Sequence, residues 1–169
     1  ATTDGSTMIS HSCDSNGDDL RLWLIPGQEA GTTREIVKSG RAGSDFSNFP
    51  EVEYGPRAQI VGSYVNEKNT NQYIHGMYSF MNEKGLAMGE STCVMSFSDD
   101  RGIAANMAFS ELRKKGKWGC YMLQDAALEN CSTAREAVRF MGDCLEKDGW
   151  ADFCCECINI CDGNEAWVF

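Results

Sequence analysis

Several features that would place a protein in a large functional class are missing from this sequence of 169 residues. No apolar run approaches the ~18 residues that a membrane-spanning helix needs, and there is no internal repeat or low-complexity tract. A glycine-rich phosphate loop and a haem attachment motif are also absent. These absences predict a soluble domain with no membrane span and with no nucleotide, flavin or haem cofactor.

Basic residues are scarce. The 15 lysines and arginines stand against 25 aspartates and glutamates, which gives a formal net charge of −10. An acidic chain repels the phosphate backbone of nucleic acids. The one dense basic group, Arg113-Lys114-Lys115 with Lys117, is more typical of a solvated loop. We therefore expect no nucleic-acid partner.

The remaining composition is that of a globular protein, with 42% hydrophobic and 24% charged residues. This length is enough for one domain with a substantial buried core. We predict a single domain over residues 1–169. Because the sequence stops at Trp167-Val168-Phe169, within an expected strand, we also expect that domain to be incomplete.

The order of apolar and turn residues predicts an α+β domain in which helices cover a sheet. Gly- and Pro-containing residues 38–58 are expected to form a long loop. Turn residues at 82–85 and 162–164 favour two β-hairpins. Strands are expected at Thr7–Ser10, Leu20–Ile25, Tyr73–Met81, Leu86–Cys93, Phe153–Cys161 and Glu165–Phe169. A first helix is expected at Trp118–Asn130. A second helix is expected to begin at the capping box Thr133–Glu136 and to end at Gly149.

Nine cysteines are more than an average chain contains, and four of them crowd between Cys154 and Cys161. Zinc sites pair close ligands with a second pair a dozen or more residues away, and this cluster lacks that spacing. Packing is the favoured interpretation, with or without one disulfide to Cys144 or Cys131, so no metal is expected. The cysteines and the acceptor pattern Asn130-Cys131-Ser132 favour a secreted or lumenal protein over a cytoplasmic one.

Two segments place polar residues where they can do chemistry. His11 and Asp14 follow the turn sequence Asp4–Thr7 at an expected strand end, and they either point into a cleft or form a surface turn. Glu90 lies inside an apolar strand, where a carboxylate has to be paired or functional. For the segment Glu90–Thr92, a purely structural hydrogen-bonded strand is the alternative. The isolated His75 is expected to be a core histidine with a satisfied ring.

Together these segments resemble the dipeptidases of the N-terminal-nucleophile hydrolase superfamily, which are related to secernins and more distantly to choloylglycine hydrolases. The resemblance covers essentially the whole chain in the right order and implies a four-layer αββα sandwich, here partial, that hydrolyses peptide or other small linear amide bonds. The matching motifs are DGST at 4–7 with His11–Asp14, NEKGL and GEST at 82–86 and 89–92, TAREA at 133–137, and NEAWVF at 164–169.

In that family a chain-terminal cysteine is the nucleophile, and its own α-amino group, with a pKa of roughly 7.7–8, is the base. The resemblance implies that Asp14 holds the amine and that His11 contacts the nucleophile or the substrate. It further implies that Ser91 and Thr92 lie beside the oxyanion while Glu90 orients their strand.

The sequence given begins at Ala1, directly before the DGST turn, and Cys13 has no free α-amino group. We therefore expect the nucleophilic cysteine to be absent from these residues. One hypothesis is a cysteine-type dipeptidase that needs an upstream cysteine. The other is a non-catalytic structural or assembly subunit, which would join a missing segment or another chain through its open sheet edges.

Overall fold

The computed structural model describes residues 2–12, 22–38, 59–76, 80–93, 111, 114–151 and 155–169. These residues include two antiparallel sheets and two helices whose bounds are described in full. The α+β fold class is confirmed. The strands are β1 (Trp23–Ile25), β2 (Thr33–Lys38), β3 (Gln59–Val65), β4 (Tyr73–His75), β5 (Met81–Asn82), β6 (Ala87–Cys93), β7 (Cys155–Cys161) and β8 (Ala166–Val168), and the helices are α1 (Cys120–Asn130) and α2 (Ala134–Asp148).

The larger sheet has six strands in the order β1-β4-β5-β6-β7-β8, all antiparallel where they pair. Both expected hairpins, β5–β6 and β7–β8, are present. The predicted single strand Tyr73–Met81 is wrong, because β4 ends at His75 and pairs with β5 through Ile74 and Met81. A Cβ at Gly76 would lie 2.1 Å from the Phe80 ring, so glycine lets that ring pack where the first strand ends.

The smaller sheet, β2–β3, was not expected from the sequence. Ile36 is fully buried, while Ile60 and Val65 of β3 are more than half exposed. The apolar residues of the hairpin, Ile36-Val37 and Ile60-Val61, are adjacent in the sequence and so do not show the two-residue period that marks a strand. The expected loop begins where β2 ends, but residues 39–58 lie outside the described part of the chain.

The core lies between the larger sheet and the helices. Helix α1 is buried around almost its whole circumference, with Leu123, Ala127 and Leu128 fully enclosed. Helix α2 is amphipathic and buries Ala134, Ala137 and Met141. On the sheet, Met88, Ile158 and Ile160 belong to the same core. No helix in the described ranges combines the length and the apolar character needed to cross a membrane.

The predicted start and stop of helix α2 are confirmed. Thr133 Oγ1 accepts a hydrogen bond from the Glu136 N–H at 3.2 Å, and the Glu136 carboxylate accepts one from the Ser132 N–H at 2.7 Å. The helix ends at Gly149, whose φ of 73° lies in the region that favours glycine. Local capping chemistry therefore sets both ends of this helix.

The motif NEKGL fixes the β5–β6 hairpin to helix α1 through Asn82. The buried amide nitrogen of Asn82 donates to the carbonyls of Leu128 and Cys131, each at 2.8 Å. Its amide oxygen accepts from the N–H groups of Lys84 and Leu86, at 3.0 and 3.1 Å. One side chain thus satisfies two carbonyls at the end of the helix and two donors of the turn.

Replacing Asn82 with alanine is expected to lower the free energy of unfolding by about 2–3 kcal/mol, because buried donors of the turn lose their acceptor. Asn71→Ala is the matched control. The Asn71 amide also donates to Leu128 and Cys131, but it accepts no bond from the turn, so its loss should cost about 1 kcal/mol. Urea unfolding measures both, and equal losses would contradict this role of the Asn82 oxygen.

Candidate functional site

The DGST motif forms a compact exposed turn. The Gly5 N–H donates to the Thr2 carbonyl at 3.1 Å, and the φ of Gly5 is 82°. The Asp4 carboxylate accepts hydrogen bonds from the Thr2 hydroxyl and from both the N–H and the hydroxyl of Ser6. These bonds, that of Thr2 first, lower the pKa of Asp4 to about 2. The turn is as expected, but the structure assigns no strand to residues 7–10, so the predicted strand Thr7–Ser10 is wrong.

In place of a strand ladder, a side-chain bond joins the motif to the sheet. The Thr7 hydroxyl donates to the Asp162 carbonyl at 2.5 Å and lies close to the buried thiol of Cys161. Cys161 lies opposite Ala87 in the β6–β7 pair. The DGST segment therefore contacts the sheet beside the first residue of β6.

His11 contacts the same strand two residues further along. Its Cβ is 3.4 Å from the position that a Cβ on Gly89 would take, and two of its ring atoms are 3.8 and 3.9 Å from that position, so His11 packs against β6 at Gly89. The Nε2 atom of His11 lies 3.8 Å from Oε1 of Glu90. The Glu90 side chain is 5% exposed and that of His11 is 20% exposed. The structure therefore brings together two of the predicted site residues, His11 and Glu90, as an ion pair when the histidine is protonated.

The other predicted site residues are only partly described. Ser91 is exposed on β6 and lies opposite Cys157 of β7. The backbone of Thr92 pairs with Glu156 in the same ladder, but its side chain lies outside the description. Asp14 falls in the undescribed residues 13–21.

Asp162 connects the DGST segment to the start of helix α2. Its carboxylate accepts from the N–H groups of Ala134, Asn164 and Glu165 at 2.8, 2.7 and 3.0 Å. Burial alone would raise the pKa of Asp162, but these three donors outweigh it and hold the pKa below its ordinary value. The carboxylate is therefore ionised in the folded protein at neutral pH.

The pKa of Asp162 has a consequence for acid stability. A carboxyl group whose pKa is lowered by folding stabilises the fold above its unfolded pKa of about 3.9, and this contribution is lost as the pH falls through the folded value. Asp162→Asn should therefore be less stable than wild type at pH 7, and the gap should narrow below about pH 4. Urea unfolding at several pH values measures this gap, and a gap independent of pH would contradict the assignment.

A buried polar cluster, not predicted from the sequence, links helix α1 to both sheets. The Glu129 carboxylate binds the Arg34 guanidinium at 2.8 and 3.2 Å and accepts hydrogen bonds from the hydroxyls of Tyr64 and Tyr73. Burial raises the pKa of Glu129 and the nearby Asp125 adds to this, while Arg34 opposes it. The cluster ties the β2–β3 hairpin to α1 and β4.

His75 extends this cluster. Its Nδ1 lies 2.8 and 3.0 Å from the two carboxylate oxygens of Asp125, and both side chains are 3% exposed. The ring also meets that of Tyr73 edge-on at 6.5 Å. The expectation of a satisfied core histidine is confirmed. The sequence feature that could have indicated this buried cluster is the spacing of Asp125 and Glu129, which lie one turn apart on an apolar helix.

Within the ranges that the structure covers, no group of three or more histidine, cysteine or acidic side chains is arranged to hold a metal ion. Among the described cysteines, Cys131, Cys144 and Cys161 form no disulfide. Burial raises the pKa of Cys131 to about 12 and that of Cys144 to about 11, so neither is a reactive thiolate at neutral pH.

Comparison with known proteins adds the family. The model of peptidase family C69 matches residues 1–169. The chain belongs to peptidase family C69. This match confirms the resemblance to the dipeptidases among the N-terminal-nucleophile hydrolases. No curated protein matches the C69 chain.

The C69 chain is also similar to the solved structure of penicillin V acylase from Agrobacterium tumefaciens, with 18% sequence identity and a TM-score of 0.39. The similarity covers 88% of the C69 chain and 40% of the acylase chain. The C69 chain thus spans about two fifths of the length of that relative.

Proposed function

We propose that the C69 chain belongs to a cysteine-type dipeptidase, in which a cysteine N-terminal to Ala1 becomes the first residue of the active protein. The observation that carries this proposal is the family match over residues 1–169, which includes every motif of the resemblance. The contact of His11 with Glu90 supports it, because it joins the DGST and GEST segments on which the resemblance depends.

The proposed reaction has two steps. The α-amino group accepts the proton of the cysteine thiol as the sulfur attacks the peptide carbonyl carbon, and the same amine then protonates the leaving amino group as the C–N bond breaks. This leaves a thioester, which water hydrolyses to release the acid and restore the thiol. Asp14 is proposed to hold the α-amino group, and Ser91 and Thr92 are proposed to lie beside the oxyanion.

His11 is proposed to contact the nucleophile or the substrate. Two features of the geometry support this role. One fifth of the His11 side chain is exposed, which leaves part of it accessible to another molecule. The buried Glu90 carboxylate, 3.8 Å from Nε2, favours one orientation of the imidazole. Glu90 thus acts on the reaction through His11.

The test is hydrolysis of unblocked dipeptides by the full-length protein, with released amino acids quantified by mass spectrometry. We expect turnover of dipeptides, and its loss when the proposed first cysteine is replaced by alanine. A folded full-length protein that releases no amino acid from dipeptides or small amides would contradict the proposal. That outcome would favour a structural or assembly subunit that keeps the fold without catalysis.

A further inference from the structure

Thr7 joins parts of the chain that are 155 residues apart in sequence. Its hydroxyl donates to the carbonyl of Asp162, the residue directly after β7, and lies close to the thiol of Cys161. The main chain of Asp162 is itself fixed, because its N–H donates to the Glu165 carbonyl at 3.0 Å and its carboxylate caps the first turn of α2. Thr7 is therefore bound to a part of the fold that is rigidly held.

The bond at Thr7 lies at the start of the segment that leads to His11. Residues 7–10 form no strand, so the segment lacks the backbone ladder that would hold it in register. The contact at Thr7 lies beside the row of Ala87 and Cys161, and the contact at His11 lies beside the next row on the same face, at Gly89. Four residues separate the two contacts, so a movement at Thr7 is passed on to His11 over a distance of at most ~14 Å.

We infer that Thr7 is a positioning residue of the site. Its hydroxyl, through the Asp162 carbonyl, fixes the DGST segment so that His11 lies against Gly89 and Glu90. This inference rests on the proposed function. It gives Thr7 a positioning role that the resemblance to the family does not imply. A displacement of about 1 Å at reacting groups can reduce turnover by as much as ~100-fold, so a single hydrogen bond at the base of the segment is sufficient to affect the rate.

The experiment compares Thr7→Val with Thr7→Ser in the full-length protein. Valine keeps the shape of threonine and removes the hydroxyl, whereas serine keeps the hydroxyl. Thr7 is exposed, so neither change is expected to unfold the protein. We expect valine to lower kcat roughly three- to tenfold with a smaller change in KM, since a hydrogen bond contributes about 1 kcal/mol. Serine should restore kcat to near the wild-type value.

Thr32→Val is the matched control. The Thr32 hydroxyl also donates to a backbone carbonyl, that of Glu29 at 2.7 Å, but in the loop before β2. The variant Thr32→Val should leave kcat unchanged. Wild-type kcat in Thr7→Val, or an equal loss in Thr7→Ser, would overturn the inference. An inactive wild-type protein would instead refute the proposed function, so the two failures are distinguishable.

Discussion

Replacing Glu129 with leucine is expected to lower the free energy of unfolding by about 3–5 kcal/mol. The Glu129 carboxylate is 3% exposed and accepts bonds from Arg34, Tyr64 and Tyr73. Its removal leaves the Arg34 guanidinium, 26% exposed, next to a helix without its counter-charge. Two tyrosine hydroxyls lose an acceptor as well. Urea unfolding monitored by circular dichroism measures the loss.

The double variant Arg34→Leu with Glu129→Leu distinguishes the contribution of the ion pair to the free energy of unfolding from the contribution of side-chain packing. An apolar pair can replace a buried ion pair at little cost, whereas a single buried charge without its partner is strongly destabilising. We therefore expect the double variant to be more stable than Glu129→Leu alone. The single variant Arg34→Leu completes the comparison. If the loss of stability in the double variant equals the sum of the losses in Arg34→Leu and Glu129→Leu, Arg34 and Glu129 do not stabilise the fold through each other.

If the proposed dipeptidase activity holds, Asp14→Asn is expected to lower kcat of the full-length protein on dipeptides by roughly 10²–10⁴. An amide in place of the carboxylate cannot balance the charge of the α-amino group or hold its orientation. The free energy of unfolding should change by less than about 0.5 kcal/mol. Steady-state kinetics and urea unfolding measure the two quantities on the same samples.

The matched control for Asp14→Asn is Asp143→Asn, the same change at an exposed position on helix α2. It alters the net charge by the same amount but should leave kcat at the wild-type value. Wild-type turnover in Asp14→Asn would remove the role proposed for this residue. An equal fall in both variants would show that net charge, and not the position of Asp14, sets the rate.

Much of the fold follows from signals that act over a few residues. The capping box at Thr133 and Glu136, the stop at Gly149 and the turn between β7 and β8 all depend on side chains close in sequence. These capping and turn contacts can be predicted from one sequence because the residues that form them lie a few positions apart. The same is true of the DGST turn, in which Asp4 bonds its own neighbours.

The features that the sequence did not predict are those with distant partners. Arg34 and Glu129 are 95 residues apart, and no periodicity links them. At the end of β4 the Phe80 ring packs over Gly76. The chain then pairs with β4 as the antiparallel strand β5, although the apolar pattern of the sequence continues. The segment after Thr7 has the composition of a strand, yet side-chain bonds to the end of β7 hold it. In each case tertiary contact overrides the local pattern.

We propose that an N-terminal cysteine performs the chemistry, and the site of covalent labelling in the active full-length protein tests this proposal. A dipeptide analogue with an electrophilic carbon in place of the scissile carbonyl should attach to one residue, located by peptide mass spectrometry. We predict a label on the cysteine that opens the mature chain, upstream of Ala1, with loss of turnover in proportion to labelling. Labelling of Cys13 or another internal cysteine in proportion to lost turnover would contradict the account.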